Sequence, residues 1–300
     1  MSRYDLCLAW NWEYDADFVH LIEAACAVRG VSLLQVTPQS LEQVLAGLQG
    51  GEITCTTLLD RASESDPCFQ PLADWAARHG VFCLNPQKRT TWSADKATMH
   101  LEFISHGLLT PHTIILSPYA NSSFIHPSDL GPLGGSFVIK PACEGGGNGV
   151  ILEATSWDQV LAARQQYPNE KYLLQAHVAT RNLDGRPAWF RILVCDGAVY
   201  PCWWDQRTHV YARVTAEEKA RLGLRRLREY AARIAQICGL HLFSTEIALT
   251  EDGRFLVVDY VNDPVDLRLQ SKAVDGVPDH FVESIAARLA RLADTHRVVS

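Results

Sequence analysis

The segment Phe137-Val-Ile-Lys-Pro-Ala-Cys-Glu-Gly-Gly-Gly-Asn-Gly149 constrains this chain more than any other. A short apolar run delivers one lysine, Lys140, and four glycines follow closely, Gly145, Gly146, Gly147 and Gly149. Glycine tolerates backbone conformations that a Cβ forbids, so consecutive N–H groups can turn toward one anion and cradle it. Strand alternation sets Val138 and Lys140 on one face and Phe137 and Ile139 on the other, leaving Lys140 as the strand's only charge. The segment reads either as a phosphate nest with a lysine beside it or as a plain glycine turn in a hairpin. A Walker A loop is excluded, because Gly149 is followed by Val150 and not by the Lys-Ser/Thr pair that class requires.

Around this segment the chain alternates short apolar runs, amphipathic stretches and turn signals, the pattern of an α/β protein built from α+β modules. Residues 4–9, 33–36, 54–59 and 81–84 read as strands separated by helices, including one with Phe18, Leu21, Ile22, Ala25 and Cys26 on a single face. Together they predict an N-terminal parallel sheet ending near Asn85-Pro86, without a dinucleotide GxGxxG after its first strand. Ser93 or Asp95 can cap a helix running to about His106, and the Pro-, Gly- and Ser-rich stretch over 117–135 reads as a surface loop. Strands over 136–140, 150–153 and 172–176 with a helix over 156–166 form a small module. Strands 189–194 and 199–204 lead to a long helix opened by the capping box Thr215-x-x-Glu218. A hairpin over 242–249 and 255–261 and a helix over 280–292 complete the chain.

Composition narrows the partners. Apolar residues make up 47% of the 300 residues, enough for two or three cored modules. The net charge of −7 argues against nucleic acid, and the basic cluster Arg225, Arg226, Arg228 and Arg233 reads as a solvated helix face. No run approaches a membrane span or a signal peptide, so a cytoplasmic protein without a membrane partner is the expectation. Nine cysteines, none in a CxxC pair, predict free thiols in a reducing compartment.

The second chemistry-bearing feature is the hairpin that places Glu246 and Asp259 on adjacent antiparallel strands, with Asn262 just beyond. Two carboxylates and an amide oxygen suit Mg²⁺, with Mn²⁺ as a substitute; the alternative is a pair of exposed hairpin acids. Trp204, Arg207 and Arg268 follow the two strand pairs. Either arginine could clamp a carboxylate and the indole could wall an apolar group, although surface or core packing explains each equally well.

In this order the segments resemble the ATP-grasp superfamily, which includes glutathione synthetase, D-alanine:D-alanine ligase and the ribosomal-protein glutamate ligases. Ser93-Ala-Asp-Lys96 with Gly107-x-x-x-Pro111 looks like the family's entry helix, and Lys140 with its glycine loop looks like the phosphate lysine and flap. The run Tyr172–Val178 resembles the hinge strand that holds adenine, which implies base contacts from Gln175, Ala176, His177 and Val178. His177 itself reads more simply as packing than as a catalytic group. Phe190-Arg-Ile resembles the strand whose arginine, here Arg191, reaches the γ-phosphate, and Glu246, Asp259 and Asn262 resemble the metal triad. Departures accompany the match: Gln175 stands where an acid is common, Tyr260 occupies the usual second metal acid, and only Asp184 offers itself for the ribose. A bulge would realign Asp259.

The resemblance implies a Rossmann-like pre-domain over 1–90, a small lobe with the flap over 91–178 and a large lobe with the metal site over 179–300; a homodimer with two-fold symmetry is the default expectation for any oligomer. It also implies ATP and Mg²⁺ as cofactors and a carboxylate and an amine, less often a thiol, as substrates. Lys96 and Lys140 would hold phosphates and Arg191 would stabilise the transferred phosphoryl group. A small-molecule kinase and a nucleotide-binding module without turnover are the alternatives.

Overall fold

The computed structural model describes residues 1–121 and 127–297. The expected loop over 117–135 therefore lies partly outside the described residues, at 122–126; Pro127–Leu133 forms a 3-10 turn. The N-terminal part runs β1 (Ser2–Ala9), α1 (Ala16–Arg29), β2 (Leu33–Val36), α2 (Leu41–Gln49), β3 (Ile53–Asp60), α3 (Gln70–Arg78) and β4 (Phe82–Leu84). Its strands pair in parallel in the order β2-β1-β3-β4. Strand order therefore reverses between β1 and β3, the place where open parallel sheets leave a crevice at their carboxyl ends.

Two helices follow where one was expected, α4 (Gln87–Ala94) and α5 (Lys96–Ser105). Ser93 belongs to α4, and Asp95 is the cap of α5, accepting from the N–H groups of Ala97 and Thr98. An antiparallel sheet comes next: β5 (Thr113–Leu116), β6 (Phe137–Pro141), β7 (Ile151–Ala154), α6 (Trp157–Gln166) and β8 (Tyr172–Ala176), in the order β5-β8-β6-β7. A two-residue hairpin, β9 (Asn182–Leu183) with β10 (Arg186–Pro187), leads into β11 (Trp189–Cys195), β12 (Ala198–Trp204) and β13 (Tyr211–Arg213). The capping box of Thr215 and Glu218 is present, but it opens the short α7 (Ala216–Arg221) and not the long helix. Gly223, at φ +69°, breaks the run before α8 (Arg226–Cys238) begins. The chain closes with β14 (Leu242–Leu249), β15 (Phe255–Asn262) and α9 (Asp279–Thr295), giving a second antiparallel sheet ordered β13-β12-β11-β14-β15.

Packing ties these parts together across the expected boundaries. Ala97, Met99 and Phe103 of α5 share a core with Phe190, Ile192, Ile247, Val257 and Tyr260, so this helix is cored with the five-stranded sheet. Burying the Phe103 ring there contributes roughly 2–3 kcal/mol. Ile285 and Leu289 of α9 instead join Phe18 and Ile22 of α1 beneath the parallel sheet. Lys96, at the first turn of α5, is thereby held over the gap between the two antiparallel sheets. Among the described residues no helix is long and apolar enough to cross a membrane.

Candidate functional site

Three neighbouring strands of the five-stranded sheet carry the acidic half of the site. Arg191 on β11 lies opposite Glu246 on β14, and Glu246 lies opposite Asp259 on β15, so the three side chains form a row across the sheet. The register of β15 shifts on both sides of Glu246: Ser244 pairs with Asn262, Glu246 with Asp259 and Ile247 with Val257. This irregularity is the bulge that the unusual spacing of Asp259 and Asn262 required. The Asn262 amide then donates to Asp259 Oδ2 at 3.0 Å. Tyr260 falls on the other side of the strand, fully buried in the core.

The facing sheet supplies the basic half. Lys140 on β6 is only 8% exposed, and its Nζ donates to the carbonyl of Val258 on β15 at 3.1 Å, spanning the two sheets. Lys96 Nζ reaches the carbonyl of Glu144 at 2.5 Å, at the root of the glycine loop that joins β6 to β7. In that loop Gly146, Gly147 and Gly149 have φ of 62°, 80° and 69°, conformations that side chains with a Cβ resist.

Electrostatics show how closely these groups converge. Burial pushes the Glu246 carboxyl above its ordinary range; Arg191 opposes the rise and Asp259 adds to it. At Asp259 burial also pushes upward, but Lys140, Lys96, the Asn262 amide and Arg191 outweigh it and hold the carboxyl low. Burial lowers the Lys140 ammonium, with Asp259 opposing and Lys96 assisting. Arg191 is buried too, yet Tyr211, Glu246, Asp259 and Asp266 hold its proton more firmly than usual. Three cations thus face two carboxylates, a cluster with net positive charge in a setting where water screens little.

Hydrogen bonds complete the row. Glu246 accepts from Trp189 Nε1 at 2.9 Å and from Arg191 Nη1 at 3.3 Å. Arg191 also donates to Ser244 Oγ at 3.3 Å, and its Nε is buried with no hydrogen-bond partner among the described residues. The donor set fits Mg²⁺, since a divalent ion would relieve the crowding of Glu246 and Asp259 and takes oxygen ligands of this kind. It also fits a polyphosphate, for which the lysines, Arg191 and the loop N–H groups are suitable donors.

No protein-family model and no curated protein sequence matches this chain. Solved structures do match it over almost its full length. A RimK-domain ATP-grasp protein from Sphaerobacter thermophilus superposes with a TM-score of 0.65 at 19% identity, covering 97% of this chain and 99% of that one. D-alanine–D-alanine ligase from Bacillus anthracis, solved with ATP, gives 0.66 at 11% identity over 99% and 100%. The macrocyclase MdnC from Microcystis aeruginosa, solved with its precursor peptide, gives 0.63 at 12% over 97% and 99%. The chain has the ATP-grasp fold.

Within the ATP-grasp fold the remaining expected residues fall in different places. Gln175 on β8 is 2% exposed, and its amide donates to Tyr260 Oη at 3.0 Å and to Thr113 Oγ1 at 3.2 Å. Ala176 ends β8, His177 and Val178 follow it, and His177 Nε2 lies 3.5 Å from Glu153 Oε2. Asp184 sits in the β9–β10 turn, where Arg221 binds it through both nitrogens of its fork, so a ribose would have to compete with that pair. The Trp204 ring lies under Arg191, 4.8 Å from its guanidinium carbon, and stacks on His209. Arg207 is in an exposed turn capped by Asp205. The charge of Arg268 is engaged by Asp266 and Asp275, each at 2.8 Å. The cluster therefore gathers Lys96, Lys140, Arg191, Glu246, Asp259 and Asn262 and leaves Asp184, Arg207 and Arg268 outside it.

Trp189 and Tyr260 are part of the site's framework although their residue types gave no hint of it. The two-residue step from Trp189 to Arg191 on one strand face was the available sign for the first.

Proposed function

We propose that the chain is an ATP-dependent ligase that activates a carboxylate as an acyl phosphate for attack by an amine. The observation that carries this reading is the convergence of Lys96, Lys140 and Arg191 on Glu246 and Asp259 across the gap between two antiparallel sheets of the ATP-grasp fold. Lys140 and Lys96 bind ATP phosphates, with the loop of Gly145, Gly146, Gly147 and Gly149 closing over them, and residues Gln175 to Val178 receive the adenine. Glu246, Asp259 and Asn262 hold Mg²⁺, which would supply charge neutralisation on the phosphates.

A carboxylate oxygen of the substrate attacks the γ-phosphorus and ADP leaves; the amine then attacks the acyl carbon, phosphate leaves and the amine nitrogen loses a proton. Arg191, seated between the Trp204 ring and Glu246, stabilises the transferred phosphoryl group and afterwards the departing phosphate. Its guanidinium is held in one orientation by Glu246 and Ser244, so little reorganisation accompanies the reaction.

The amine has a candidate seat. A cavity of about 410 Å³ opens at the carboxyl ends of β1 and β3, where strand order reverses, and is lined by Asn11, Trp12, Glu64, Ser65 and Asp266 among others. The charge of Arg61 in its wall is already bound to Asp15, and burial pushes the Glu64 carboxyl upward, which an ammonium would relieve. Asp266 in its lining lies four positions beyond Asn262 and adds to the field that holds the Arg191 proton, which supports seating the amine here.

Hydroxamate trapping tests the reading: with Mg²⁺-ATP, hydroxylamine and a panel of amino acids and small carboxylates, at least one hydroxamate forms and a Lys140→Ala variant forms none. A stable phosphorylated product instead would establish a kinase. Tight ATP binding without turnover on any panel member would establish a silent module.

A further inference from the structure

Gln175, Thr113 and Tyr260 form a buried hydrogen-bond chain whose direction can be worked out from one end. Thr113 Oγ1 lies 2.9 Å from the carbonyl of Pro111, which can only accept, so the threonine hydroxyl must donate there. Its remaining capacity toward Gln175 is as an acceptor, and the Gln175 group 3.2 Å away must be the NH₂. The second hydrogen of that NH₂ goes to Tyr260 Oη at 3.0 Å. Tyr260 Oη in turn lies within hydrogen-bond distance of His100 Nδ1, at 2.7 Å. Burial, with Lys140 and His112 nearby, lowers His100 to about 4 and leaves the ring neutral, so Nδ1 accepts from Tyr260 when the ring proton is on Nε2 and donates to it in the other tautomer. Both amide hydrogens of Gln175 are therefore spent, and its Oε1 is the atom left for a ligand.

The chain stands on the face that the proposed nucleotide would meet. Gln175 pairs with Val138 across β6, Lys140 pairs with Leu173, and side chains of paired residues share a face, so Gln175 and Lys140 look the same way. The Lys140 ammonium lies 5.7 Å from the centre of the Tyr260 ring.

We propose that Thr113, anchored on the Pro111 carbonyl, is a positioning residue that locks the Gln175 amide with its oxygen outward and so makes the site select a base bearing an exocyclic amino group, adenine, over one bearing a carbonyl, guanine. This rests on the reading that residues 175–178 receive the base. An adenine amino group donates to Oε1. A guanine O6 would face it acceptor to acceptor, leaving two desolvated lone pairs unmatched. Without the threonine hydroxyl the amide is free to turn over, accept from Tyr260 and present its NH₂ to guanine O6.

The test measures dissociation constants of Mg²⁺-ADP and Mg²⁺-GDP by calorimetry on the full chain. Wild type prefers ADP. Thr113→Val, which keeps the side-chain shape and suits a strand, lowers the ADP:GDP preference by about tenfold or more. Thr113→Ser restores the preference, and Tyr260→Phe weakens both nucleotides alike while keeping the ratio, because the Pro111–Thr113 anchor survives. A purely structural role for Thr113 would move both constants together. An unchanged ratio in Thr113→Val, with ADP still bound, overturns the proposal and leaves the nucleotide site intact. Failure of wild type to bind either nucleotide overturns the site reading along with it.

Discussion

Replacing Lys140 with methionine separates the stability of the site from its task. The side chain is 8% exposed and spans from β6 to the Val258 carbonyl on β15, so methionine fills the same space without charge. The substitution loses one charge-assisted hydrogen bond and the attraction to Asp259 and Glu246. It also relieves a buried ammonium whose burial and neighbour Lys96 both disfavour its charge. A hydrogen bond to a charged group contributes about 1.5–3 kcal/mol, and the relief offsets part of it, leaving a net loss of roughly 1 kcal/mol. For a chain of 300 residues that is about a 2 °C fall in melting temperature. The phosphate contact has no such offset, because a bound polyphosphate needs the cation that the variant lacks. Its loss at about 1.5–3 kcal/mol weakens Mg²⁺-ADP about 10- to 150-fold. Calorimetry with ADP and with adenosine, beside thermal melts, reads both quantities. Equal weakening of ADP and adenosine, or weakening of ADP by less than about threefold, would refute a phosphate contact at Lys140.

Three further outcomes follow from single positions. Gly149→Ala forces a Cβ to within 2.7 Å of the Tyr167 ring at φ +69°, whereas Gly135→Ala, outside the phosphate loop, enters open space, so in titrations only the first weakens Mg²⁺-ADP severalfold. Arg61→Met leaves Asp15 buried without its cation, a pair with side chains 3% and 2% exposed, and lowers unfolding free energy by about 3–5 kcal/mol in urea titration; adding Asp15→Leu recovers most of it. His100 is lowered to about 4 from 6.5, so the unfolded chain takes up its proton first and stability falls as pH drops through that window. His100→Gln removes about 2 kcal/mol of that decline after allowance for partial screening, readable in melts between pH 7 and 4.

Much of this architecture was legible because local chemistry and tertiary structure agree. The β6 lysine, the glycine loop and the Glu246–Asp259 hairpin each follow from alternation and turn residues close by in the sequence. What stayed hidden depends on partners far away in sequence. The bulge in β15 places Asp259 beside Glu246 while Tyr260 enters the core against α5, a compromise between two sheet faces that spacing alone could only suggest. Gly223 breaks the helix opened by Thr215, because a helical pattern tolerates one glycine and only packing decides whether the chain turns there. Asp184 was a reasonable acid for a ribose by position, but its turn also faces Arg221, which no local rule reveals. The same holds for Arg268, whose charge is engaged by Asp266 and Asp275 before any substrate arrives.

Carboxylate activation is tested most directly by oxygen transfer. Carboxylates of the trapping panel enriched in ¹⁸O are incubated with the protein, Mg²⁺-ATP and hydroxylamine, and the released phosphate is analysed by mass. One ¹⁸O per phosphate formed is expected, since the carboxylate oxygen that attacks phosphorus departs with it. ATP consumed with every carboxylate while the phosphate stays unlabelled would contradict carboxylate activation.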